Sequence, residues 1–180
     1  MNAATVQLQN PGNAPNDALS LLRAEAPWAE YSESLMTYGR FVGSWSVEST
    51  WYKSSGERIR MDGEWHFSWI LGGRGIIDVL YGAGFTPDRY GTTLRYYDSD
   101  KDLWHCTWMQ PGVNEFTQLV AWKNGDDIVQ EIQGLQDRRE IWRFTEICQD
   151  SFLWRTEISR NGGASWCVEQ EIRAKKRRTA

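Results

Sequence analysis

The chain twice carries the phrase Trp-His-x-x-Trp, as Trp65-His66-Phe67-Ser68-Trp69 and as Trp104-His105-Cys106-Thr107-Trp108. In an extended strand, residues two apart share a face, so each repeat puts both indoles on one side and its histidine on the other. The chain holds 11 tryptophans in 180 residues. That much indole must be buried or used, because an exposed aromatic surface of this extent drives aggregation. Short strands that hide one aromatic face are therefore the starting expectation.

A length of 180 residues fits one domain that can enclose a core or a cavity. The net charge of -4 argues against general nucleic-acid binding through the surface. Lys175-Lys176-Arg177-Arg178 reads as a solvated basic tail. The three cysteines form no CxxC pair, so neither a disulfide framework nor a thiolate zinc site is expected. The N-terminal residues lack the basic and apolar regions of a signal peptide. No apolar run nears the roughly 20 residues of a membrane span. A cytoplasmic protein with no membrane or nucleic-acid partner, no metal and no cofactor is expected.

Residues 1–16, rich in asparagine and proline, read as a disordered arm. Residues 17–38 read as a helical cap. Ala18, Leu19, Leu21 and Leu22 form one stripe before Pro27, and Tyr31, Leu35 and Tyr38 form a second. Residues 39–174 then alternate between short strand-like runs and turn chemistry. Strands are predicted near 43–53, 60–70, 75–82, 91–98, 103–109, 115–122, 128–133, 139–147, 151–159 and 165–174. Asn124-Gly125 and Asn161-Gly162-Gly163 are strong hairpin signals, and Thr86-Pro87-Asp88 is a further turn. Ten hairpin-linked strands predict an all-β, antiparallel up-and-down barrel, which removes its edges by closing.

Period two sorts the faces. One set holds Trp45, Trp51, Trp65, Phe67, Trp69, Trp104, Trp108, Phe116, Gln118, Trp122, Trp142, Trp154 and Trp166. The other holds Glu64, His66, His105, Arg143, Arg155, Glu157, Glu169 and Glu171. Charges are rarely buried unpaired, so the aromatic set is predicted to face inward. A barrel this wide has room for a ligand, and indoles make flat apolar walls with one N–H donor each. Trp51, Trp65, Phe67, Trp69, Trp104, Trp108, Gln118, Trp142 and Trp154 are the expected ligand-binding residues.

Phe41-Val42-Gly43-Ser44-Trp45 resembles the Gly-x-Trp opening of the calycins, the superfamily of lipocalins and fatty-acid-binding proteins. Leu71-Gly72-Gly73-Arg74, Tyr90 to Asp98, Trp104 to Trp108 and Ser159 to Trp166 resemble a bacterial family of lipocalin-like domains. The resemblance spans residues 38–174 and implies the barrel, with no activity to carry over. Nitrobindin-like haem barrels share the opening, but hold iron through a histidine close to the C-terminus. This chain has no histidine after His105, which sets it apart from them.

Charges inside apolar strands are the candidates for chemistry. Asp78 and Arg95 interrupt Ile76 to Leu80 and Thr93 to Tyr97, on strands that should be neighbours, where they can form a buried pair. Tyr97 is a nearby phenol, and His66 and His105 titrate near neutrality. These five are the candidate catalytic residues. Three readings stay open. The barrel binds a small hydrophobic molecule, aromatic or polyene-like. Alternatively it is a cofactor-free cyclase, isomerase or dehydratase acting within that cavity. A third reading is a homodimer that uses its aromatic surface as an interface.

Overall fold

The computed structural model describes residues 17–82 and 90–178. The arm expected at residues 1–16 and the turn expected at 86–88 lie outside them. Ten strands follow two short helices, α1 (Ala18–Leu22) and α2 (Ser32–Gly39). The strands are β1 (Gly43–Tyr52), β2 (Arg58–Ile70), β3 (Gly75–Gly82), β4 (Gly91–Asp98) and β5 (Leu103–Gln110). They continue as β6 (Glu115–Asn124), β7 (Asp127–Ile132), β8 (Arg139–Thr145), β9 (Ser151–Ser159) and β10 (Cys167–Lys176). Each pairs antiparallel with the next, and β10 returns to β1, which closes the barrel. The predicted strands are all present, with ends shifted by one or two residues.

Local chemistry sets the corners. Asn124 sits opposite Asp127, so the β6–β7 hairpin turns on Gly125 and Asp126. Gly125 has a φ of 64°, a left-handed conformation that glycine adopts without strain. Cross-strand partners then align the inward residues: Trp45 faces Trp65, Trp65 faces Leu80, and Phe67 faces Asp78.

Helix α2 fills one end. Leu35, Tyr38 and the following Phe41 are almost fully buried. The Phe41 ring centroid lies 4.9 Å from Phe144 and 4.7 Å from Phe152. The Trp45 indole donates to the Phe41 carbonyl at 2.7 Å, which ties the plug to β1. Burial of each such ring contributes roughly 2–3 kcal/mol. Gly39 makes the closure tight, because a Cβ there would lie 2.4 Å from the Trp69 ring.

Several expectations are corrected. Helix α1 stops at Leu22 rather than near Pro27, and Leu19 is exposed, whereas Leu35 and Tyr38 do cover the barrel end. The chain beyond it is pulled straight along the barrel end: Ala24 N–H bonds the Trp69 carbonyl and Trp28 N–H bonds Gly73, both at 3.0 Å. Strand β6 has the opposite facing. Leu119 and Ala121 are buried inside, while Phe116 and Gln118 are exposed. The cause is its register on β5, where Cys106 faces Leu119 and Trp104 faces Ala121, so the smaller residue of each pair leaves room for the larger. Trp166 precedes β10, is about a third exposed, and lies under the Arg139 guanidinium at 5.6 Å. The expected basic tail is partly strand, since Lys175 and Lys176 end β10 and Arg177 bonds Ser44 and pairs with Glu64.

Candidate functional site

The end of the barrel opposite α2 holds a cavity of about 200 Å³. Trp51, Trp65, Trp108, Trp142 and Trp154 form much of its wall. Four of these indoles make a chain of tilted and edge-to-face contacts. Trp108 lies 6.0 Å from Trp142, Trp142 lies 5.5 Å from Trp154, and Trp154 lies 6.2 Å from Trp65. Interplanar angles of 68° to 84° put the positive edge of one ring against the face of the next, an arrangement that fixes both rings. Trp108 also needs Gly91, where a Cβ would come within 2.0 Å of its ring. The wall is therefore pre-organised.

The inner part of the cavity rests on a buried charge pair. The Arg95 guanidinium forms an ion pair with Asp78, and both side chains are almost completely buried. Asp78 also accepts the Thr93 N–H at 3.3 Å. Arg95 Nε donates to Gln130 Oε1 at 3.4 Å, and the same oxygen accepts the Tyr38 hydroxyl at 2.8 Å. The base of the cavity is thus wired to the plugging helix. Burial opposes the Arg95 charge, but the Asp78 carboxylate outweighs it and raises the guanidinium pKa. Burial raises the Tyr38 phenol well above its ordinary value and pushes the adjacent Cys106 thiol up to about 12.

The rim is acidic. Glu115, Glu140 and Glu169 line the cavity beside Gln110, Thr156 and Gln170. Glu140 is buried, accepts the Trp142 indole at 3.2 Å and pairs with Arg138 at 2.9 Å. Glu169 was assigned outward from period two, but a register shift between Val168 and Gln170 breaks the alternation there.

The sequence-derived candidates separate clearly. Trp51, Trp65, Trp108, Trp142 and Trp154 come together at the cavity. Phe67, Trp69 and Trp104 belong to the packed half, and Gln118 is outside. Asp78 and Arg95 share the face of the indoles, because Asp78 sits opposite Phe67 and Arg95 opposite Cys106. Tyr97 lies near the α2 end, in a separate polar recess of about 270 Å³ that also includes Ser34 and Asp102. Its hydroxyl donates to Asp102 at 2.7 Å. A Ser34 contact lowers the Tyr97 pKa, but desolvation and Asp102 together raise it.

Both histidines are on the outer wall. His66 bonds Ser44 at 2.8 Å and Glu64 at 3.0 Å, and stacks on Tyr81. His105 bonds Asp98 at 3.0 Å and stacks on Tyr96. His105, together with Lys101, holds the half-buried Asp98 carboxyl down at about 2. Neither histidine lines the cavity. The rim carboxylates Glu115 and Glu140 were missed by sequence reading. Their only signal was a charge at the edge of an apolar strand, which usually means solvent. Among the described residues, no cluster of three or more His, Cys, Asp or Glu side chains could hold a metal ion. No helix among them is long and apolar enough to cross a membrane.

The architecture is a closed ten-stranded antiparallel barrel, and solved structures share it. The S-type phycobiliprotein lyase CPES from Guillardia theta has a similar fold, with a TM-score of 0.55 at 10% identity, covering 86% of this chain and 100% of that one. Rv2717c from M. tuberculosis is similar at a TM-score of 0.52 and 14% identity, covering 81% of this chain and 98% of that one. No protein-family model matches the sequence, and no curated protein matches it.

Proposed function

We propose that the open half of the barrel binds a small, flat, largely apolar molecule between its indoles. The observation that carries this reading is the chain of four indoles, held rigid around unfilled space. Packed interiors keep few voids of this size, and an aromatic-walled concavity with a few polar groups is the usual form of a ligand site. Arg95 and Asp78 support it by fixing the base of the site, and the lipocalin-like fold is consistent with it. Intrinsic fluorescence tests the reading, since a planar ligand between four indoles must change their emission. Titration with bicyclic aromatic compounds should quench or shift that emission. No response to any compound would refute the reading.

Conversion of the bound molecule is the second reading, and it rests on Arg95 lining the cavity. Substituting Arg95 and Asp78 separately tests it, with binding retained and product formation lost as the expected outcome.

A further inference from the structure

Resting on the binding reading above, we infer that the cavity is built for an organic cation: an aromatic or aliphatic amine whose ammonium group stays at the rim. Three features converge. The walls are indole faces, the side-chain surfaces that attract cations most strongly through the ring quadrupole. Three carboxylates, Glu115, Glu140 and Glu169, line the same space. The one cation among the described cavity-lining residues, Arg95, is already committed, to Asp78 and to Gln130, and its guanidinium also lies 4.9 Å from the Tyr38 ring.

Charge balance then selects the ligand. At the base, the Arg95 and Asp78 charges cancel, so nothing there attracts an anion strongly. At the rim, Arg138 pairs with Glu140 and Arg160 with Glu169, but both arginines are about half exposed or more. The Arg160–Glu169 pair is exposed on both sides, so it holds little energy and yields readily to a competing cation. Glu140 itself is buried, and the Trp142 indole that donates to it is also a wall of the cavity. A cation at that carboxylate would lie beside the indole wall, and partial desolvation strengthens the attraction. A carboxylate-bearing ligand would meet three like charges, Glu115, Glu140 and Glu169, in the lining itself. The Trp65 Nε1–H, on the cavity wall and buried without an acceptor among the described residues, can still take a neutral oxygen at the inner end of the ligand.

Calorimetric titration of the full chain near neutral pH with naphthylmethylamine, methylnaphthalene and naphthoate tests the inference. These probes share a ring system and differ in charge. The amine should bind roughly tenfold tighter than the neutral compound, and naphthoate should bind weakest. Raising salt from about 0.05 to about 0.5 M should narrow the preference for the amine. Glu140→Gln keeps an acceptor for Trp142 and should cut that preference by about threefold. Glu115→Gln should act in the same direction, and guards against a folding defect at Glu140. Equal binding of amine and neutral probe, or tighter binding of naphthoate, overturns the inference and leaves the binding reading standing. Absence of binding by all three removes both.

Discussion

Between the end capped by α2 and the open end, the inward residues change little in kind but greatly in packing. In the capped half, Tyr38, Phe41, Trp45, Phe67, Phe144 and Phe152 interlock with ring centroids as close as 4.7 Å, and the recess at that end is polar and lies outside this cluster. In the open half, Trp65, Trp108, Trp142 and Trp154 touch edge to face along the wall and leave the middle empty. The difference lies in what enters from outside the sheet. One end receives a helix carrying Leu35 and Tyr38 followed by Phe41; the other end receives none among the described residues. The same aromatic alternation therefore yields a core where it is plugged and a cup where it is not.

Truncation should expose this asymmetry most strongly. Phe41→Ala removes a ring from the packed half and should cost about 4 kcal/mol in urea unfolding. Trp108→Ala, at a wall that already borders empty space, should cost only about 1–2 kcal/mol. Equal costs would mean that the two halves are packed alike. The junction comes next. Asp78→Ala leaves Arg95 buried without its partner and should cost about 3 kcal/mol. Pairing Asp78→Val with Arg95→Met should recover most of that loss in the same assay, and a double variant no better than the single one would argue against the buried pair as the cause.

A smaller effect is expected at Gly91, where the added methyl of Gly91→Ala must displace the Trp108 ring. About 1–2 kcal/mol of stability should be lost and tryptophan emission should change with it, and an unchanged spectrum would place Trp108 elsewhere. The mildest test is chemical. Cys148 and Cys167 are exposed and Cys106 is buried, so a thiol reagent should label two cysteines in the native protein and the third only on unfolding. The folded Cys106 thiol keeps its proton to about 12, whereas an unfolded thiol loses it from roughly pH 8.5. The unfolded state then binds fewer protons, so stability falls as pH rises through that window. Cys106→Ala should flatten that slope in the alkaline unfolding curve.

Much of the barrel could be read from the chain. Asn124-Gly125, the Gly-x-Trp opening and the Trp-His-x-x-Trp repeats located hairpins and strands, because turn conformations and period two are local properties. The same period put five of the cavity tryptophans and the outward histidines on their observed faces. It failed on β6, where Phe116-x-Gln118-x-Val120 and Thr117-x-Leu119-x-Ala121 are both apolar enough to pass for an inner face. There the deciding factor was the volume available opposite Trp104 and Cys106. It failed again at Glu169, because a bulge has no signature in alternation.

The sequence by itself settled the ten strands, their order and the inward aromatic stripe, since each depends on neighbouring residues and the pleat. Only the tertiary structure decided which indoles pack and which line a void, and that the Asp78–Arg95 pair lies at the base of the cavity. Those outcomes depend on where α2 inserts and on how a ring of ten strands closes, distances set by the whole molecule rather than by any stretch of it.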